Sequence, residues 1–162
     1  MTRKTSHPTA STTKAIDTPD NLAAEIREMI AQARSTAAIA VNASLTLLYW
    51  RIGRRVHAEV LNGERAEYGQ GIVAALSRQL VADHGQSFSV KNLQRMIQFA
   101  EVFADEQIVV SLIRQLSWTH FIALIPLKEP LKRDFYAQMC RTERWSVRTL
   151  RAKIDSMLFE RT

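Results

Sequence analysis

Residues 72–103 read IVAALSRQLVADHGQSFSVKNLQRMIQFAEVF, and this stretch decides the fold. Ile72, Val73, Leu76, Leu80 and Val81 recur on one face of a first helix, and Leu93, Met96, Ile97, Ala100 and Phe103 on one face of a second. Between them, His84-Gly85-Gln86-Ser87 is polar and carries a helix-breaking glycine. Ser89 is placed to cap the second helix, with Phe88 before it and Leu93 after it as a hydrophobic staple. Two helices joined so tightly read as a helix-turn-helix at about 72–103. The second helix leaves Lys91, Asn92, Gln94, Arg95 and Gln98 outward.

Upstream, Pro19-Asp20 opens a helix of some forty residues that Asn62-Gly63 should stop. Its apolar positions Leu22, Ile26, Met29, Ala33, Ala37, Val41, Leu45, Leu48, Ile52, Val56 and Val60 follow three- and four-residue steps, which predicts one buried stripe. Around Leu45 to Trp50 the apolar surface widens, so burial on more than one side is expected there. Gly53 lowers helix propensity and points to a close approach by another helix. A polar turn is expected from Gly63 to Tyr68. Downstream, Asp105-Glu106 starts a short helix, and Ser117 caps one with Trp118, Phe121, Ile122 and Ile125 that Pro126 stops. Pro130 opens a helix to about Arg141. Ser146 caps a last helix with Val147, Leu150, Ile154, Met157 and Leu158 inward. No strand-like alternation occurs. The expectation is an all-α protein of about seven helices: a disordered leader over 1–19, then one domain over 20–162 in which the long first helix packs with the helix-turn-helix and a C-terminal helical bundle.

Length allows one domain with a real core. The formal charge of +6 suits a polyanionic partner. From Leu127 to Thr162, nine basic residues oppose five acids. A single cysteine, Cys140, excludes an internal disulfide, fits a reducing cytoplasm and reads as a small buried hydrophobe. No apolar run approaches the ~18 residues a membrane span needs, and the leader lacks an apolar segment of the secretory kind. Within that leader, Arg3, Lys4 and Lys14 could act as a basic arm on DNA.

No catalytic constellation is visible. His7, His57, His84 and His120 lack metal-ligand spacing, and His120, set among Trp118, Phe121 and Ile122, reads as a hydrogen-bonded core residue. Gly69-Gln70-Gly71 is too short for a phosphate loop. We therefore expect no enzyme activity, no cofactor and no metal. What residue types do offer is contact with duplex DNA. Lys91 and Arg95 suit phosphates or guanine edges, while Asn92 and Gln94 suit bases or sugars. Ser87 and Ser89 could present backbone N–H groups to a phosphate at the helix start. Arg144, Arg148 and Arg151, at helical spacing, could flank a duplex backbone or simply solvate the last helix. The competing class is a protein-interaction or dimerisation module using the long helix, with no nucleic-acid contact. Target sequence, pathway and oligomeric state are not legible.

Five segments in order resemble the N-terminal domain of the bacterial YhcG family: Leu48 to Gly53, Asn62 to Gly69, Phe88 to Leu93, Gln115 to Phe121 and Glu143 to Arg148. The resemblance covers about Asn21 to Thr162. It implies a helical domain usually joined to a PD-(D/E)xK nuclease domain, expected to begin near the last residues of this sequence. Such a nuclease needs an E/D-x-K element beside its metal, and no Asp or Glu here has Lys two positions later. The resemblance thus implies a non-catalytic domain that positions a nuclease domain or partner on duplex DNA. A more distant likeness, carried by Phe88 to Met96, Leu116 to His120 and Ser146 to Arg148, is to the helix-turn-helix core of ParB-type partition proteins, with Ser89 to Phe103 as its recognition helix.

Overall fold

The computed structural model describes Thr2, residues 19–61 and residues 66–162. The leader with Arg3, Lys4 and Lys14, and the expected stop at Asn62-Gly63, lie outside the described residues. Seven α-helices and no strand occur among the described residues: α1 Asp20–Leu61, α2 Ala66–His84, α3 Val90–Val102, α4 Glu106–Leu112, α5 Trp118–Leu124, α6 Pro130–Glu143 and α7 Val147–Asp155. The all-α reading is met. None of these helices is long and apolar enough to cross a membrane. Ala66 to Tyr68, expected within a polar turn, are instead helical.

Two compact units divide the chain, Met1–Thr36 and Ala37–Thr162. In the first, the described residues are the start of α1, where Leu22, Ile26, Met29 and Ile30 are all exposed. In the second, the rest of α1 buries Thr46, Trp50, Gly53 and Val56. The single buried stripe expected from the spacing is therefore corrected. Val41, Leu45 and Leu48 are exposed, and only the other side of the helix enters the core. The geometry explains it: at about 100° per residue, Leu48 and Trp50 point some 160° apart, so one helix cannot bury both against the same neighbours. Leu45 to Trp50 is buried on one side, not several.

The inward side of α1 meets α3. Gly53 passes so close to α3 that a Cβ added to it would lie 1.8 Å from the Met96 carbonyl oxygen, the close approach expected at this glycine. One turn earlier, the Trp50 indole Nε1–H donates to the Phe103 carbonyl at 2.7 Å. This satisfies a carbonyl at the end of α3 that the helix itself leaves without a partner. The larger core cluster joins Trp50, Phe99, Phe103, Phe121, Leu124, Tyr136 and Leu150. Phe99 and Phe121 stack with centroids 4.5 Å apart, and Phe103 meets Phe121 edge-on at 5.3 Å. Phe99, fully buried, is the core residue of α3 that the apolar spacing passes over. Val56, Val73, Leu93 and Met96 form the second cluster.

Helix starts follow the expected side chains. Asp105, Ser117 and Ser146 each accept a backbone N–H of the helix they open. His120 closes a capping box: its Nδ1 accepts the Ser117 N–H at 3.0 Å, which leaves the proton on Nε2 to donate to the Trp145 carbonyl at 2.8 Å. The core-histidine reading holds. Met157, expected inward, is instead exposed at a left-handed backbone position past the end of α7. Arg133 is buried and donates to the carbonyls of Leu127 and Val102, so one of the nine C-terminal cations is not a surface charge.

Cys140 is 1% exposed, and burial pushes its thiol up to about 12. Only the thiolate attacks electrophiles. Native protein at pH 8 should therefore resist a maleimide for hours and be labelled within minutes in urea. Mass spectrometry of quenched aliquots measures this, and rapid native labelling would contradict the packing around α6.

Candidate nucleic-acid interface

The residues expected to face DNA lie on α3 and the turn before it. Gly85 ends α2 with its N–H bonded to the Val81 carbonyl at 2.9 Å, and takes φ +94°, a conformation that favours glycine. A single 3₁₀ turn, Gln86–Phe88, follows. Ser77, buried on α2, donates its hydroxyl to the Phe88 carbonyl at 2.9 Å and pins this turn to the preceding helix. Phe88 packs against Tyr49 of α1 and is half-buried against the cluster of Val56, Val73, Leu93 and Met96. The Ser89 hydroxyl accepts the Asn92 N–H at 3.3 Å and starts α3.

Once α3 is fixed by Leu93, Met96 and Phe99, its other side is set. Lys91, Gln94 and Gln98 are exposed, whereas Asn92 and Arg95 are half-buried. The Arg95 guanidinium donates to the Asn92 side-chain oxygen at 3.2 Å, so the two act as a coupled pair on the surface. No acid occurs from Gly85 to Ala100. The first, Glu101, lies 3.0 Å from His57 Nε2 of α1. Gln94 borders a shallow hollow with Val60, Val73, Val90 and Ile97. Ser87 is exposed in the turn. Ser89 is occupied within it: its N–H donates to the Gln86 carbonyl at 3.1 Å while its hydroxyl caps α3. Its visible contribution is to position the helix.

The C-terminal arginines do not form one helical row. Arg144 is the left-handed cap ending α6, at φ 53°, and α7 begins only at Val147. The expected shared side is therefore corrected: Arg148 and Arg151 lie exposed on α7, but Arg144 belongs to another element. Arg144 borders a hollow of about 350 Å³ with Arg114, Gln115, Trp145 and Ile39. A neighbouring hollow shares Arg114 and Gln115 and adds Arg141. The structure thus gathers Arg114, beyond α4, with Arg141 and Arg144 at the end of α6, all three exposed. Sequence reasoning misses this grouping because Arg114 follows α4 in an irregular turn, where no period links it to the others.

Elsewhere, Lys132 of α6 pairs with Glu160 beyond α7. The hydrogen bond between them holds the ammonium above and the carboxyl below their ordinary ranges. Among the described residues no group of three or more His, Cys, Asp or Glu is placed to hold a metal ion.

Comparison with known proteins gives a family. The DUF1016 N-terminal domain family matches residues 25–161. A relative from Escherichia coli (strain K12), named "Putative nuclease YhcG", is 28% identical over 167 residues. That alignment takes in 85% of this chain and 44% of the relative, so the chain spans less than half of the relative's length. No solved structure matches. The likeness to the YhcG N-terminal domain is upheld, and the ParB-type likeness gains no support. With 137 of the 162 residues inside the match, this chain belongs to the DUF1016 N-terminal domain family.

Proposed function

We propose that this domain is a non-catalytic DNA-binding module which positions a nuclease domain or partner protein on duplex DNA in the cytoplasm. The α2–turn–α3 unit acts as a helix-turn-helix, and α3 enters a groove. One observation carries the reading: a polar face bearing Lys91, Gln94 and Gln98, with half-buried Arg95 at its edge and its one acid, Glu101, held back in the last turn, stands outward on a helix whose opposite side is locked by Leu93, Met96 and Phe99. A rigid, pre-set helix loses little freedom on docking, and cations on it neutralise phosphates. Ser87 and the start of α3 sit near the backbone in this arrangement, and Arg144, Arg148 and Arg151 give further phosphate contacts. The nuclease link is drawn from the name of the Escherichia coli relative.

The test is fluorescence anisotropy with a mixed-sequence duplex at 50 and 200 mM salt. With about four phosphate contacts, counterion release should weaken binding by roughly 10²-fold between the two. No binding at 50 mM, or affinity indifferent to salt, would overturn the proposal.

A further inference from the structure

Arg114, Arg141 and Arg144 border two adjoining hollows within the Ala37–Thr162 unit. The first, of about 350 Å³, is walled by Arg114, Arg144, Gln115, Trp145 and Ile39. The second, of about 360 Å³, shares Arg114 and Gln115 and is bordered by Arg141 and Ser111. No acid lines either one; Glu143, next to Arg144 in the chain, is exposed outside both. Among the described residues none of the three arginines makes an ion pair. Part of their charge answers the backbone. Arg114 lies two residues past α4, Arg141 is in the last turn of α6, and Arg144 caps that helix. A helix C-terminus carries about half a negative charge, so two such ends offset about one guanidinium of the three. Most of the positive charge is left for an anion from outside.

The backbone at Arg144 is a second observation. It holds φ 53° and ψ 46°, the left-handed position past a helix end that glycine normally fills, because a Cβ is strained there. An arginine here forgoes stability that glycine would supply, and strain of this kind clusters at ligand clamps. The residue that follows is fixed on both sides. The Trp145 carbonyl accepts from His120 Nε2 at 2.8 Å, and Ser146 caps α7. Lys153 sits 5.8 Å over the indole without lining the hollow, so another side of the ring is turned to it.

We infer that these hollows bind single-stranded nucleic acid, with phosphates on Arg114, Arg141 and Arg144 and an unpaired base against Trp145 and Ile39. Phosphate alone would need only the arginines. A fixed indole beside them offers stacking, which every base accepts on its face. In a duplex those faces are stacked on one another and only base edges reach the grooves. The ring therefore serves an unpaired strand. A run of carboxylates would match the charge and leave the ring unused. This site does not require α3 to enter a groove, and its test tells the two apart.

The probe is a dye-labelled thymidine dodecamer, which cannot pair with itself, titrated with the full chain by anisotropy. With three phosphates neutralised, affinity should fall roughly 20-fold from 50 to 200 mM salt. Arg144→Gly should weaken binding at least about fivefold through a lost phosphate contact. Its melting temperature should hold or rise, because glycine suits φ 53°. An arginine with a merely structural role would not give that split. Adding Arg114→Ala to Arg144→Gly should deepen the loss to roughly 20-fold or more. Trp145→Leu should weaken binding about fivefold or more, and Trp145→Phe should restore most of it, with melts run beside both. Lys91→Ala with Arg95→Ala should bind the strand as the parent does. Absence of binding at 50 mM salt, or parental affinity for Arg144→Gly or Trp145→Leu, would overturn the inference. So would displacement by a polyglutamate peptide of equal length, or a loss in the α3 double variant as large as in the Arg114–Arg144 one.

Discussion

Gly53→Ala should destabilise the protein by about 2–3 kcal/mol, although helix propensity alone argues for a gain of about 1 kcal/mol. The sign is decided by what the added methyl meets. Its carbon would sit 1.8 Å from the Met96 carbonyl oxygen and 2.4 Å from the carbonyl carbon. Both atoms are backbone inside a helix and cannot rotate aside. The two helices must therefore separate by more than an ångström, loosening Val56, Leu93 and Met96 together and straining the 2.7 Å bond from Trp50 to Phe103. A loss of that size lowers Tm by roughly 4–12 °C for a chain this long. Gly71→Ala is the matched control. It too lies within a helix, but a methyl added there has nothing within 4 Å of it, so propensity acts unopposed and the variant should gain up to about 1 kcal/mol. Urea melts of both variants check the pair, and a Gly53→Ala protein as stable as the parent would show that α1 and α3 are further apart.

The second large effect is on DNA. Lys91→Ala combined with Arg95→Ala should weaken duplex binding by at least tenfold and reduce the salt slope by about one for each phosphate no longer neutralised. Lys91 is exposed and makes no ion pair on α3, while Arg95 bonds only to the Asn92 side chain there. Stability should consequently change by no more than about 1 kcal/mol, since Lys91 is a surface position and half-buried Arg95 loses one hydrogen bond. Anisotropy titrations at two salt concentrations beside urea melts separate the two readouts. Equal affinity for parent and variant would remove α3 from the interface, even if the domain still bound DNA through Arg148, Arg151 or the Arg114–Arg141–Arg144 grouping.

Helix by helix, the chain announces itself because local signals act locally. Ser89, Asp105, Ser117 and Ser146 cap the helices they precede, since a short side-chain oxygen reaches an N–H only two or three residues on. Gly53 is legible for a related reason: a glycine inside a strong helical pattern is costly unless another backbone needs the space. The polar residues of α3 are legible as outward once its apolar positions are assigned. Phe99 escapes because a helix buried on a broad face takes in residues on either side of the strict three-and-four pattern.

Composition and spacing by themselves determined the all-α class, the helix starts capped by Ser89, Asp105, Ser117 and Ser146, the tight turn between α2 and α3 and the absence of a local E/D-x-K element. They could not rank the two apolar sides of α1, because periodicity records that a face is hydrophobic and not which neighbour covers it. Only tertiary packing chose Trp50 and Gly53 over Leu45 and Leu48, removed Arg133 from the surface charge and brought Arg114 beside Arg141 and Arg144. Those choices depend on side chains far apart along the chain competing for the same space, a competition that no local pattern encodes.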